Sequence, residues 1–361
     1  MKKASKQKKS LRAFQTEVRK EEHLTTVLNN DVSAKGISNG FETYTFEHCA
    51  LPDIDFKDVD LSMPLFGKVL KAPILISSMT GGTPKALKVN QRLAEIAQEM
   101  GIAMGVGSQR AALENNLLCN TYQVRDVAPN ISLFANFGAI QLNYGYGKEE
   151  AKRAIEMIEA DGLFLHLNPL QEAVQKEGDK NWKGIFNQIE MLVQEIPVPI
   201  IVKEVGNGVS SELVQRLKDI GVAAVDIAGS GGTSWSEVEA YRQVDPVIKG
   251  IAHNFSAWGI PTAKALVDAK KVVPDFPIFA SGGIRTGIDV AKAIRLGAEI
   301  CGIAAPVLAS AAHNSRALQN NIKGVIEELK IASFCTGSKD ISSLRVAPLY
   351  QNTDCFFKKI S

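Results

Sequence analysis

The sequence predicts an α/β fold, a (β/α)8 TIM barrel formed as a single domain with an N-terminal extension. Three observations lead there. From residue 72 onward, short apolar, β-branched runs alternate with longer amphipathic segments. The runs are apolar throughout rather than alternating, as in parallel strands covered on both faces. There are eight of them, which closes a barrel, whereas open doubly wound sheets usually hold fewer. A length of 361 residues fits one such domain.

In chain order the predicted strands are Ile74–Ser78, Ile102–Val106, Ser132–Asn136, Gly162–Leu167, Pro199–Lys203, Ala224–Ala228, Pro277–Ser281 and Glu299–Ala304. Between them, Lys85–Glu99, Glu149–Ala160, Trp182–Glu195, Ser211–Ile220, Thr262–Lys270 and Ile288–Leu296 carry apolar residues at three- and four-residue spacing and read as crossover helices. Pro246–Pro261, with His253, Phe255 and Trp258, is an insert after the sixth strand. No low-complexity linker isolates any part. The expected organisation is a basic, disordered tail (1–18), an extension over the barrel mouth (19–71), and the barrel with C-terminal helices (72–361).

Composition excludes several classes. Hydrophobic residues are 45% and charged residues 22%, as in soluble globular chains. The net charge of +2 hides an asymmetry: Lys2, Lys3, Lys6, Lys8, Lys9 and Arg12 crowd the first twelve residues without an acid, so the remainder is slightly negative. That body offers no basic field for nucleic acid. The tail lacks the apolar segment of a signal peptide, and no run of about 18 uncharged apolar residues follows. A cytoplasmic protein without membrane contact is expected. Cys49, Cys119, Cys301, Cys335 and Cys355 are odd in number and scattered, and read as reduced thiols.

Barrel chemistry lies at the carboxyl ends of the strands, and here those ends are polar and glycine-rich. Ser281-Gly282-Gly283-Ile284-Arg285-Thr286-Gly287 opens a helix and is followed by Gly297-Ala298 and the last strand. Glycines let peptide N–H groups approach phosphate oxygens, so this reads as a phosphate cradle rather than a bare turn. Lys203 ends the fifth strand, where an ammonium either points to solvent or stabilises an anion such as the edge of a reduced flavin. Gly229 through Trp235 resembles an anion nest for the flavin or a second phosphate, with Trp235 either packing or touching ligand. His166, Asn168, Gln171 and Glu172 follow the fourth strand. One carboxylate with amide and imidazole donors suits a magnesium-bound diphosphate, the alternative being a satisfied loop histidine and a surface glutamate. Arg110 adds a guanidinium after strand two. Residues 19–23, taken alone, read as an exposed charged helix.

Assembled in order, Arg19-Lys20-x-x-His23, Ser78-Met79-Thr80-Gly81-Gly82, Gly107-Ser108-Gln109-Arg110, His166-x-Asn168-x-x-Gln171-Glu172, Lys203-Glu204-Val205-Gly206, Gly231-Gly232-Thr233-Ser234-Trp235, Trp258-Gly259-Ile260-Pro261-Thr262 and Ser281-Gly282-Gly283-Ile284-Arg285 resemble the type 2, FMN-dependent isopentenyl diphosphate isomerases from about residue 19 to 348. The resemblance implies interconversion of isopentenyl and dimethylallyl diphosphate, with FMN reduced by NADPH, Mg2+, and a homotetramer or homo-octamer. It implies FMN contacts at Met79, Thr80, Ser108, Asn136, Lys203, Thr233, Gly282, Gly283, Arg285, Ala304 and Ala305. Substrate contacts are implied at Arg19, Lys20, His23, Ser108, Arg110, His166, Asn168 and Gln171, with Glu172 on the metal. Gln171 and Lys203 are the expected catalytic residues. An amide is a poor acid, so Gln171 is assigned positioning or relay. The rival reading, an FMN-dependent 2-hydroxy-acid oxidase, needs a His–Arg pair after the sixth strand, and Gly229–Trp235 contains neither. A flavin-binding scaffold without turnover leaves the His166–Glu172 and Arg110 cluster unexplained.

Overall fold

A computed structural model describes Thr16, residues 18–353 and the strand Phe356–Lys359; the basic residues 2–12 and Cys355 lie outside the described residues. Eight parallel strands form one sheet: β1 (Ile74–Ile76), β2 (Ala103–Gly105), β3 (Leu133–Gly138), β4 (Gly162–His166), β5 (Ile200–Lys203), β6 (Ala224–Asp226), β7 (Ile278–Phe279) and β8 (Cys301–Ile303). Successive strands pair, β8 pairs with β1, and a bridge from Ala280 to Cys301 closes the ring. Each lies within or across one of the eight predicted runs. Most ladders stop short of the predicted carboxyl ends, because there the chain turns away into the loops of the mouth.

The helices in chain order are α1 (18–29), α2 (Pro84–Met100), α3 (Arg110–Glu114), α4 (Lys148–Ile158), α5 (Pro169–Val174), α6 (Ile185–Glu195) and α7 (Ser211–Asp219). They continue as α8 (Trp235–Arg242), α9 (Pro246–Asn254), α10 (Thr262–Val272), α11 (Gly287–Arg295), α12 (Ala305–His313), α13 (Ser315–Cys335) and α14 (Ile341–Leu344). All six predicted crossover helices form. In α2, Thr83 caps the Ala86 N–H, Pro84 opens the first turn and Gly101 closes the helix in the left-handed region. Trp182, predicted at the start of α6, falls outside it because Gly184 at φ 78° turns the chain first. The insert folds as α9, started by the Asp245 carboxylate on Val247 and Ile248, and does not line the main cleft.

Strand alternation explains where the core ends and the site begins. Leu75, Ala103, Phe134, Phe164, Ile201, Ala224, Phe279 and Ile300, from β1 to β8 in turn or from the residue just before the strand, form one buried cluster inside the barrel. Small alanines on β2 and β6 make room for three phenylalanines, so that side chains fill the lumen. The antiparallel pair Met63–Leu65 and Lys68–Leu70 seals the amino end, with Met63, Leu65 and Leu70 in the same cluster and Phe66 against Phe134 and Phe279. Two residues further along each strand, the same inward face carries Ser77, Gly105, Asn136, His166, Lys203, Asp226, Ser281 and Gly302. The lower layer is apolar and the next layer is entirely polar or glycine. Replacing Phe134 by Ala is expected to cost about 3–5 kcal/mol, measured by denaturant unfolding, because the rigid ring around it cannot collapse into the void.

Candidate active site

The polar layer floors a cleft of ≈ 1720 Å³, counted to its open mouth, at the carboxyl ends of the strands. Every residue that the resemblance implies for cofactor, substrate or metal lines this one cleft: the β1 loop contributes Met79 and Thr80, the β4 side His166, Asn168, Gln171 and Glu172, the β7 loop Gly282 to Arg285, and α1 Arg19, Lys20 and His23; of the Gly229–Trp235 nest, Gly232, Thr233 and Trp235 line it. Trp235 lines it too, and also stacks edge-on to His23 with centroids 5.2 Å apart.

On the floor, His166 Nδ1 hydrogen-bonds Asn136 Oδ1 at 2.9 Å, and Asn136 Nδ2 donates to the Val106 carbonyl. Burial, followed by the charges of Lys203, Lys20 and Arg110, lowers His166 to about 3, so its ring is neutral at physiological pH. Lys203 Nζ donates to the Glu204 carbonyl at 2.6 Å, and burial lowers its pKa. Asp226 stands opposite Lys203 in the β5–β6 register. Its Oδ1 accepts from Ser281 Oγ at 2.8 Å, while its Oδ2 is buried without a partner.

The glycines beside this floor are there for close approach. A Cβ on Gly232 would stand 2.4 Å from the Gly283 nitrogen, and one on Gly107 would stand 2.4 Å from the Thr80 carbonyl oxygen. The extension braces the same loops: Ala34 N–H donates to Gly232, Ser234 N–H to Val32, and Asn39 Nδ2 to Gly283 at 2.7 Å. Sequence reading named Ala304 and Ala305 after the eighth strand, and the Ser281–Gly287 loop, which opens a helix, as flavin and phosphate contacts. The structure shows that helix, α11, already capped by Thr286 and Asp289, with Gly287 N–H donating to Glu328 at 2.6 Å. The open N-terminus is that of α12, where Ala304 supplies no side-chain cap and Ala304, Ala305 and Pro306 line the cleft.

The opposite wall is cationic. Lys20 Nζ donates to the Ser108 carbonyl at 2.7 Å, 5.6 Å from the Tyr122 ring. Burial, then Arg19 and Arg110, lowers its ammonium to about 7. Arg110 pairs with Glu114 at 3.0 Å and with Asp179 at 2.9 Å. Glu172 Oε1 accepts from Asn168 Nδ2 and its Oε2 from the Asp179 N–H at 2.7 Å; burial raises its pKa. Gln171 is held at both ends, its oxygen accepting from Asn168 at 3.0 Å and its nitrogen donating to Glu239 at 3.2 Å.

Of residues 19–23, which read alone as an exposed charged helix, Arg19, Lys20 and His23 are thus turned into the cleft, while Glu21 and Glu22 stay on the outer face. The anchor is Glu239 on α8, whose side chain is 0% exposed. Its Oε1 hydrogen-bonds His23 at 2.8 Å and its Oε2 accepts from Arg242 at 2.6 Å. Gln175, with its amide oriented to satisfy both neighbours, joins Glu239 at 3.1 Å to Arg19 at 2.8 Å. Burial opposes ionisation of Glu239, but the His23 bond and charge, Arg242 and Gln171 outweigh it and hold the carboxyl at about 2. Sequence reading missed Glu239, Asp179 and Gln141. Glu239 and Asp179 sit in charged stretches that look like solvated surface, and Gln141 in an apolar run where a lone amide reads as a core residue; no local signal distinguishes any of them.

Residues 148–351 match the FMN-dependent dehydrogenase family. The solved structure of a flavocytochrome b2 mutant superposes with a TM-score of 0.67 at 18% identity, covering 91% of this chain and 82% of that one. A lactate oxidase of Pediococcus acidilactici gives 0.65 at 16%, covering 94% of each. At such identity the likeness shows the barrel alone. Among curated proteins, the isopentenyl-diphosphate delta-isomerase of Synechocystis sp. is 56% identical over 332 residues, 92% of this chain and 95% of its own length. That of Stutzerimonas stutzeri is 52% identical over 338 residues, 93% and 98%. The chain belongs to the isopentenyl-diphosphate delta-isomerase family. Its match to the FMN-dependent pattern puts it in the type 2, flavin-dependent branch of that family, as its motifs suggested.

The residues present fit the family's flavin. The Ser77 and Ser78 hydroxyls are buried without partners, Gly107 and Gly232 leave no room for a Cβ, and α12 offers an uncapped N-terminus. Replacing Gly232 by Ala is expected to push the Gly283 backbone aside and abolish flavin uptake, so that the purified variant loses its visible absorbance.

Proposed function

We propose that this protein interconverts isopentenyl diphosphate and dimethylallyl diphosphate with reduced FMN and Mg2+. The observation that carries the reading is the pairing, in one cleft, of a flavin-compatible floor with a buried cationic wall that includes Glu172. A 2-hydroxy-acid oxidase needs only the first of these, and the β6 loop lining the cleft, Gly232, Thr233 and Trp235, supplies no His–Arg pair.

Arg19, Lys20 and Arg110 would bind the diphosphate, Arg110 presenting its guanidinium in the planar geometry that suits phosphate oxygens. Glu172 would hold magnesium; the unpartnered Asn168 Oδ1 beside it suits a hard cation. Ser108, His23, His166 and Asn168 would complete the substrate contacts. Met79, Thr80, Asn136, Lys203, Thr233, Gly282, Gly283, Arg285, Ala304 and Ala305, again with Ser108, would hold FMN. When reduced, FMN supplies an electron-rich face suited to a carbocation-like state. Lys203 places a positive charge at the cleft floor, where it favours an anionic ligand. Gln171, fixed by Asn168 and Glu239, would position the alkene. Leu24 and Val27 of α1 also line the cleft and would exclude water from the prenyl tail.

In this reading residues 19–71 are an extension across the mouth and residues 72–361 the flavin barrel with C-terminal helices; Thr16, expected in the tail, is buried, donates to Glu114 and lines the cleft, so the extension begins before residue 19. NADPH is the reductant, and the setting is cytoplasmic. Among the described residues no helix is long and apolar enough to cross a membrane. Assembly as a homotetramer or homo-octamer agrees with an exposed apolar strip of Tyr241, Val244, Val247 and Ile251.

Purified protein with FMN, NADPH, Mg2+ and isopentenyl diphosphate is expected to form the allylic isomer, and only after the flavin is reduced. Oxidation of lactate or glycolate with flavin reduction, and no isomer, would overturn the reading. Gln171→Ala is expected to lower kcat about 100-fold, the cost of losing alignment; full turnover at saturating substrate would remove Gln171 from its role. Glu172→Gln should raise KM and the magnesium needed for half-maximal rate. Lys20 gives a pH signature. Its ammonium titrates near 7, and a bound diphosphate raises that value, so binding above pH 7 takes up protons and binding well below it does not. Calorimetry in buffers of different ionisation heat should show this uptake, and Lys20→Met should lose it.

A further inference from the structure

Asp179 does not line the cleft, yet it touches three residues that do. Its N–H donates to Glu172 Oε2 at 2.7 Å, and its Oδ2 accepts from Arg110 Nη1 at 2.9 Å and Gln141 Nε2 at 3.2 Å. Those partners come from α5, from α3 and from the turn Ala139–Tyr144 after β3. The chain returns to Glu172 only because residue 178 is glycine: a Cβ there would stand 1.9 Å from the Glu172 carbonyl oxygen. The Asp179 side chain is 12% exposed.

An ionised carboxylate can only accept, so Asp179 dictates how the Gln141 amide faces. The nitrogen is turned toward Asp179, and Gln141 Oε1 is left buried with no partner. Asn168 is oriented by the same logic. Its nitrogen serves Gln171 and Glu172, and its Oδ1 is likewise buried and unpartnered. Each such orphan is costly unless a ligand satisfies it. Two unpartnered amide oxygens, both in residues lining the cleft and both linked to Glu172, are the donors a hard cation takes.

Building on the diphosphate and magnesium reading above, we propose that Asp179 is a positioning residue. It holds Arg110 for the diphosphate and turns the Gln141 oxygen toward the hydrated cation carried by Glu172.

The test uses the full-length, FMN-loaded protein with magnesium and inorganic pyrophosphate as the probe, followed by calorimetry, beside steady-state kinetics. Asp179→Asn keeps the side-chain volume and the N–H to Glu172. It is expected to weaken magnesium-dependent pyrophosphate binding on the order of 10–100-fold and to raise KM in parallel. Meanwhile kcat should fall by less than about threefold, and flavin content and Tm should hold. Gln141→Met should weaken binding in the wild-type background and add little to Asp179→Asn. Unchanged binding, additive effects in the pair, or equal losses of kcat and kcat/KM with loss of flavin would overturn the proposal. Should Asp179→Asn not fold, Asp179→Ser takes its place; failure of both to take up FMN marks Asp179 as a folding residue and overturns it. Wild-type protein that binds magnesium pyrophosphate without isomerising sinks the functional reading alone, and the Asp179 comparison still decides this one.

Discussion

Everything at the mouth of this protein depends on the alternation of side chains along eight strands that close on themselves. One inward layer is apolar and holds the barrel shut, with Phe134, Phe164 and Phe279 filling its lumen. The next inward position on each strand, two residues on, falls at the mouth, where filling is no longer required and polar groups can be tolerated. Because the period is two, the strands that build the core also place Asn136, His166, Lys203, Asp226 and Ser281 side by side. Core and site are consecutive storeys of one scaffold, and this rigidity lets the floor groups keep fixed partners.

The second requirement is to bury several cations near one another without losing the fold. Isolated buried charges are costly, and a cleft containing Arg19, Lys20, Arg110 and Lys203 must be balanced within the protein. Asp179, Glu114 and Glu239 supply the balance on the wall, each from an element distinct from the cleft floor, and Asp226 and Glu204 face Lys203. Glu239 does most to shape the site. Through His23, Gln175 and Arg242 it ties α1 to α8, converting a charged N-terminal helix into one wall of the cleft. The depressed Lys20 and neutral His166 follow first from burial and then from this crowding.

The fold neighbours and the relatives divide along the same line. Flavocytochrome b2 and lactate oxidase share the barrel at under 20% identity, and the half of the chain from 148 to 351 matches the FMN-dependent pattern. Of the cleft floor, His166, Lys203, Asp226 and Ser281 lie within that stretch, and Ser77 and Asn136 precede it. The cationic wall is built largely by segments outside it, α1 and the Arg110 turn.

Much was legible in the sequence: eight runs, six crossover helices, and nineteen candidate residues that all line one cleft. Strand-end residues could be read because a periodic backbone fixes their direction before any partner is known. The glycine loop could be read because only glycine admits another backbone so closely. Residues 19–23 were legible by family likeness but not by physics, since an amphipathic charged helix looks the same whether it faces water or a cleft. The helix start after the eighth strand, with Ala304 and Ala305, was named from sequence and lines the cleft; that the α11 start is closed by Glu328 could not be read, because that cap comes from 41 residues away. Glu239, Asp179 and Gln141 were invisible for the same reason. The sequence by itself determined the barrel, its polar upper layer and the chemical character of the loops, which depend on local period and backbone sterics. Only the tertiary structure decided which buried charge answers which, because those pairings are set by distance in space between segments that share no local pattern.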